Sequence, residues 1–301
     1  MTTTGFDVNN WNYQHTLRLL HNVYNRGGGL FSWAVGADER NSVLNVIQLD
    51  QGGLSLPSRD YYLNDTNADV REAYTAFMTK VGVLLGGEEN ATRSQMEAVV
   101  EFETRIANIT VPAEDRRDDE RMYHRLSIGK LQRLAPAIDW LAYFRTAFDQ
   151  INYNLTEREP VVIYSPEYLV NVSQLITEYN STKAGRETLA NYFGWSVIQS
   201  LTAALSKPFR EASKILRKAL IGSEGSESQW RYCVSDTNSV AGFALGAMFV
   251  RSVFHGSSKP QAEIMIEEIK EAFKENLPNL EWMDEETRQL ARQKVSVLLS
   301  F

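Results

Sequence analysis

Between Asn67 and Ile221 the apolar residues recur mostly at three- and four-residue intervals, and this spacing limits the chain to a mainly helical fold. Residues three and four apart share one face of an α-helix, so an apolar stripe with that period marks a helix laid on a core. Asn67–Gly86 shows it most plainly, with Val70, Tyr74, Phe77, Val81 and Leu84 on one side. Ala91–Ile109, Ile128–Leu134, Ile138–Phe148 and, with short breaks, Glu167–Ile221 read the same way. A shorter helix over Trp11–Asn25 carries Leu17, Leu20 and Val23 and stops at Gly27-Gly28-Gly29.

Two segments break the helical period. Leu30–Val35 and Val43–Leu49 are β-favouring and are separated by turn residues from Asp38 to Asn41, which predicts a small β hairpin near residues 30–50. Val161–Tyr164 is a further short strand candidate. Asp50–Asp65 reads as a loop and Val111–Met122 as a charged connector. Ser165-Pro166-Glu167 has the order of a helix start, with Ser as cap, Pro in the first turn and Glu at the positive end. Gly222–Ser228 is a polar link, which divides the chain into a helical lobe over 1–222 and a helical segment over 223–301. In the second part Gln229–Phe254 and Pro260–Asn276 read as helices, and a last one begins at Asp284, with Glu285 and Glu286 in its first turn.

The 301 residues are 43% hydrophobic, enough for one large core or two modest ones. Lys and Arg number 31 against 38 Asp and Glu, so the net charge is −7, and without a basic block nucleic acid is not the expected partner. One cysteine excludes an internal disulfide framework and a Cys-rich zinc module. The first residues have neither the basic nor the apolar region of a signal peptide. Ser239–Val250 is the longest run of small apolar residues and is shorter than the roughly 20 needed for a membrane span. With Gly242 and Gly246 four apart, it reads as a buried helix packed on a neighbour.

Catalytic motifs are absent. Of His15, His21, His124 and His255, none begins the H-E-x-x-H pattern that sets two imidazoles on one helix face for zinc. Glu120 and His124 have the spacing of a solvated helical ion pair, and His255 that of a helix end. The run Glu114–Arg121 reads as a self-neutralising surface. A carboxylate site built on Asp118, Asp119 or Glu120 is the weakest of the enzymatic readings. Ser127-Ile-Gly-Lys130 lacks the rest of a phosphate loop, and no nucleophile elbow or dinucleotide fingerprint occurs.

A signal of compartment is stronger. The N-x-[ST] sequon occurs at Asn64, Asn90, Asn108, Asn154, Asn171 and Asn180, where chance would give about two or three. All six precede residue 181, which marks the later part as the one covered by other protein. In a secreted chain the lone Cys233 implies a partner elsewhere or a free thiol.

These pieces resemble, in order and spacing from about Gly5 to about Lys294, the N-terminal, non-catalytic region of the neprilysin-like zinc metallopeptidases, the M13 peptidases that include endothelin-converting enzymes. The resemblance is carried by Asp38–Ser42, by Gln51-Gly-Gly-Leu-Ser-Leu-Pro-Ser-Arg-Asp-Tyr-Tyr62, by Ile106–Arg116 and by Tyr164–Leu169. Later pieces are Trp230-Arg-Tyr-Cys233, Ala244–Phe254 and Leu280–Thr287. Beyond Lys294 the resemblance fades. It implies a cell-surface or extracellular glycoprotein that trims small peptides, with a helical cap lobe closing over a catalytic lobe that holds zinc. There zinc would activate a water and the Glu of H-E-x-x-H would act as general base.

None of those catalytic elements is present in these 301 residues. The expectation is therefore a truncated N-terminal part with no catalytic or metal-binding residue of its own, no bound cofactor and no activity alone. Its partners would be the catalytic lobe of a longer product and small peptides, with a membrane reached only through an N-terminal anchor that this chain lacks. By the resemblance, Cys233 pairs with a cysteine outside the chain. Phe243, Phe249 and Phe254 read as core residues, with a surface facing the missing lobe as the other reading. The alternative function is a secreted, non-enzymatic helical module that binds a peptide or a protein partner.

Overall fold

The structure, a computed structural model, describes residues 6–24, 29–151, 153–223, 225, 228–254 and 256–298. The chain divides into two compact units, Met1–Gly225 and Ser226–Phe301.

In the first unit the chain opens with α1 (Tyr13–Arg18), capped by the Asn12 side chain and continued by a π-helical turn over Leu19–Val23. The sequence reading of one helix to Asn25 is corrected here: the helix widens at Leu19, and Asn25 lies outside the described residues. β1 (Phe31–Asp38) and β2 (Asn41–Gln51) form the expected hairpin, and together they extend beyond the apolar runs. The expected loop contains a single turn, α2 (Asp60–Leu63). α3 (Ala68–Leu84) and α4 (Glu89–Ile109) follow as a packed pair. Past α5 (Asp119–Met122) come β3 (His124–Ser127), α6 (Ile128–Leu134), α7 (Trp140–Phe148) and β4 (Pro160–Ile163). α8 (Pro166–Asn180), α9 (Lys183–Leu201) and α10 (Lys207–Ile221) complete the unit. Gly222 closes α10 at φ 69°, a left-handed conformation that costs glycine least.

The hairpin is half of a four-stranded mixed sheet of order β1-β2-β4-β3. β2 pairs with β4 in parallel, Leu49 opposite Ile163, and β3 runs antiparallel to β4. Parallel pairing needs a long crossover, and the helices from α2 to α7 supply it. One face of the sheet closes on an aromatic cluster. Phe31 lies edge-on to Trp140 with ring centroids 5.0 Å apart, and Tyr143 and Phe144 pack beside them. A second cluster joins α3 to α9, with Phe77 edge-on to Trp195 at 5.2 Å. Such edge-to-face contacts add about 0.5–1.5 kcal/mol each to the area they bury.

Ser165 does not cap α8 as its position suggests. Its hydroxyl turns instead to Asp50 Oδ1 at 3.4 Å, while Pro166 occupies the first turn.

The second unit holds α11 (Gln229–Ser252), α12 (Ser258–Asn276) and α13 (Glu285–Ser296). Asp284 caps α13 by accepting the Thr287 amide at 2.7 Å. α11 bends at Ala241, whose φ of −126° and ψ of 34° leave the helical region. No residue in these three helices is buried. The buried-helix reading of Ser239–Val250 is therefore overturned, and so is the core reading of Phe243, which is 101% exposed, and of Phe249 and Phe254. The apolar run is also part of a longer element: α11 has 24 residues, long and apolar enough to cross a membrane by length and composition alone. Arg231, Asp236 and Arg251 lie along it.

Candidate functional site

Three arrangements in the first unit bring polar side chains together. The first lies at the end of the hairpin. Asp38, nearly buried, receives the Arg40 amide at 3.0 Å and the Tyr123 hydroxyl at 2.8 Å, and Arg125 Nε stands 3.4 Å from its other oxygen. The Arg40 amide first and the Tyr123 hydroxyl second hold its carboxyl below the usual carboxylate range. Arg40 also covers the Tyr123 ring at 4.5 Å and reaches Glu120. Glu39 accepts the Tyr164 hydroxyl at 2.8 Å.

Glu120 is thus committed to Arg40, and His124 starts a strand instead of sharing a helix with it. The helical Glu120–His124 pair is corrected accordingly: α5 ends at Met122, and His124 Nδ1 lies 3.1 Å from the Met122 carbonyl. The run Glu114–Arg121 is likewise not self-neutralising. Arg116 pairs with Asp50 and Glu120 with Arg40, both outside the run, while Asp118 caps α5.

The second arrangement is a carboxyl in the core. Glu103 of α4 is 2% exposed. It accepts the Tyr62 hydroxyl at 3.0 Å, the Tyr74 hydroxyl at 2.9 Å and the Ser55 hydroxyl. Trp195 Nε1 donates to the Tyr74 oxygen at 2.7 Å and the Leu56 amide to the Tyr62 oxygen at 3.0 Å. Those two N–H groups only donate, so each tyrosine spends its single proton on Glu103. Burial raises the Glu103 pKa, and the three hydroxyls oppose that shift. The sequence reading misses this residue, although a signal exists. Met96, Val99, Glu103 and Ile106 share one helical stripe, so a glutamate sits in an apolar row.

The third arrangement is a pair of surface clefts. One, of about 520 Å³, is walled by the Gly52–Arg59 loop and by Thr110–Ala113. The Gln51 amide braces it, accepting the Val111 N–H at 3.0 Å and donating to the Val111 carbonyl at 3.2 Å. The other, of about 420 Å³, lies between α4 and α8, where Arg105 grips Glu178 through two bonds of 2.6 Å.

Of the remaining candidates, His21 is packed edge-on to Phe31 and Tyr143 and bonds the Tyr143 hydroxyl at 2.8 Å. His15 sits in the first turn of α1, where its amide donates to the Asn12 side chain at 3.1 Å, and His255 lies outside the described residues. Cys233 is an exposed free thiol on α11. Asn64, Asn90, Asn108, Asn154 and Asn171 are exposed, and Asn180 is half-buried. Among the described residues no three His, Cys, Asp or Glu side chains gather closely enough to hold a metal ion. These residues do not fit a zinc site.

The first unit packs helices around a small mixed sheet, and the second is a set of three helices with exposed apolar side chains. Residues 3–300 match the sequence profile of Peptidase family M13, and the chain belongs to that family. The match continues past Lys294, where the resemblance was expected to fade. Endothelin-converting enzyme homolog of Locusta migratoria is 53% identical over 98% of this chain and 41% of its own length. Neprilysin-3 of Drosophila melanogaster is 51% identical over 98% of this chain and 38% of its own length. The chain thus spans about two-fifths of the curated relatives it matches.

Among solved structures, the zinc metalloprotease Zmp1 of Mycobacterium tuberculosis in complex with an inhibitor superposes with a TM-score of 0.80 at 22% identity. The superposition covers 96% of this chain and 43% of that one. PepO from Lactobacillus gives a TM-score of 0.75 at 19% identity, covering 94% and 43%. At such identities these two report the shared fold alone.

Proposed function

We propose that this chain is the non-catalytic, substrate-enclosing part of a neprilysin-like zinc metalloendopeptidase acting on small extracellular peptides, and that the zinc-binding residues belong to a separate lobe of a longer protein. The observation that carries this reading is a family match over residues 3–300 that includes no H-E-x-x-H. The uncovered apolar residues of α11 and α12, among them Phe243, Phe249, Ile264 and Ile269, support it, because a surface of this kind marks a missing protein contact. So does the excess of sequons, which fits a glycoprotein exposed outside the cell. Cys233, exposed and unpaired, is available to a cysteine outside the chain.

On this reading the chain binds and encloses peptides while another lobe supplies the metal. Excluding water from an enclosed site strengthens every electrostatic interaction within it. The test is zinc content by mass spectrometry and peptide hydrolysis by the purified 301-residue chain, with a chelator control. The expected result is no stoichiometric zinc and no chelator-sensitive cleavage. Stoichiometric zinc with chelator-sensitive cleavage would overturn the proposal, because a metal site would then exist without H-E-x-x-H.

A further inference from the structure

Sequons far apart in the sequence meet at one place in the fold. The cleft between α4 and α8 is lined by Leu63, Arg105, Asn108, Ile109, Asn171 and Glu178, among others. Asn108 and Asn171 are both sequon asparagines, one on each wall, and both are exposed. Asn64, a third, directly follows the lining residue Leu63 in the chain and is exposed. By contrast Asn90 lies 18 residues before Asn108 on the same helix, about 27 Å away along its axis. Two of the six sequon asparagines thus line this one cleft, and Asn180 follows Glu178 by two residues on α8.

The cleft also has the chemistry of a sugar seat. A hexose ring presents apolar C–H faces and a rim of hydroxyls. Leu63 and Ile109 offer apolar surface, and the Arg105–Glu178 pair lines the same space. A carboxylate has about four acceptor positions, so Glu178 retains some for hydroxyl donors after binding Arg105. At about 420 Å³ the space falls within the range of small-molecule sites and takes a ring or two, not a whole glycan.

The geometry points to this cleft as the seat of the first N-acetylglucosamine of the N-glycans carried by Asn108 and Asn171, which closes the α4–α8 face to protein partners. The inference rests on the extracellular placement proposed above. Each glycan is transferred from a lipid diphosphate carrier before the helices form. The bond from Asn Nδ2 to the sugar C1 forms as the sugar–phosphate bond breaks, the amide proton passes to solvent, and the lipid diphosphate leaves. In the folded chain the sequon hydroxyls are then free for structural use. Ser173 Oγ accepts the Ala137 amide at 2.9 Å, and Thr110 Oγ1 donates to the Ile106 carbonyl at 2.8 Å.

The test uses the chain secreted, behind an added leader, from cells whose glycans are held in the oligomannose form. One portion is treated with endoglycosidase H, which leaves a single N-acetylglucosamine, and another with an amidase that removes the whole glycan and leaves Asp. Site occupancy and hydroxyl-radical oxidation at Leu63 and Ile109 are read by mass spectrometry. Oxidation should stay low with the single sugar and rise severalfold once it is removed. The Asn108→Gln/Asn171→Gln double variant should start at the high level, which separates the lost sugar from the new Asp. Equal oxidation in the two portions overturns the inference. So does an unmodified Asn108 and Asn171 in a chain that carries sugar at Asn64 or Asn154. Absence of sugar from all six sequons also overturns the inference, and removes the sequon support for the extracellular placement.

Discussion

The Tyr74 hydroxyl on α3 donates to Glu103 on α4 across 2.9 Å, and the carboxyl's three side-chain partners, Tyr74, Tyr62 and Ser55, are all neutral hydroxyls. Burial raises the Glu103 pKa above its ordinary value of 4.5. A carboxyl with a raised folded pKa contributes its full stability below the unfolded value. It loses that contribution as pH rises through the folded one. A glutamine side chain at this position reproduces the protonated form, with its carbonyl accepting both tyrosines and its amide donating to Ser55. Glu103→Gln should therefore be at least as stable as the parent at pH 7 and should flatten the loss on going from about pH 4.5 to 7. Glu103→Ala strands three hydroxyls and opens a cavity, and should cost about 2–4 kcal/mol. Urea midpoints across this range decide the matter; a Gln variant less stable than the parent at pH 7 but not at pH 4 would refute the sign.

His21 tilts the chain the other way. Burial among Phe31 and Tyr143 pushes its pKa down to about 4. A base with a depressed folded pKa contributes stability above its unfolded value of 6.5, and loses it as pH falls toward the folded value. Each pH unit between the two values is worth about 1.4 kcal/mol, so after allowance for partial exposure stability should fall by about 2 kcal/mol between pH 6.5 and 4. In His21→Gln this contribution should vanish, so the acid-side loss should be shallower than in the parent by that amount. Thermal unfolding at pH 7, 5.5 and 4 measures it, and parallel curves for parent and variant would dispose of the idea.

What the sequence reveals and what it hides follow from the range of the interactions concerned. α3, α4, the hairpin and the Asp284 cap depend on residues a few positions apart, and each is legible from spacing alone. β3 is not, because His124–Ser127 is four residues long and is a strand only by pairing with the distant β4, where Ser127 meets Pro160. Glu120 and Ser165 escape a local reading for the same reason: Arg40 and Asp50, their actual partners, are remote in the chain. The phenylalanines of α11 fail differently. Apolar composition shows that a residue seeks cover and says nothing about which molecule provides it. The resemblance identifies the family where local physics cannot, since no described cluster of side chains carries a metal peptidase's chemistry.

Backbone contact at the α8–α9 corner gives a steric prediction. A Cβ on Gly185 would stand 2.0 Å from the Tyr179 carbonyl oxygen, which belongs to the backbone of α8 and has little room to retreat. Gly185→Ala should cost about 1–3 kcal/mol, the usual range for overpacking. Gly86 is the comparison, since its φ of 97° is strained for alanine but its surroundings are open. Gly86→Ala should cost about 1 kcal/mol. Chemical denaturation of the pair ranks them, and a Gly185 variant as stable as the parent would mean that the two helices separate without cost.

The sharpest prediction concerns the second unit. Along α11, α12 and α13 no side chain is buried, while Trp230, Phe243, Ile264 and Trp282 are each more than 60% exposed. Opening free energy tracks buried apolar contact, and Leu277, in the turn after α12, is the one buried side chain among the described residues of this unit, so its helices open readily. In the isolated chain, amide hydrogens of residues 229–298 should exchange orders of magnitude faster than those of α3, α4 and α9, and an apolar dye should bind. Limited proteolysis should leave a resistant fragment ending near Gly222. Supplying the catalytic lobe of a neprilysin-like relative in trans should slow exchange in α11 and α12 and reduce dye binding. Uniform protection through residue 298 in the chain alone would show that these helices need no cover, and would remove the main structural support for a lobe designed to sit against another.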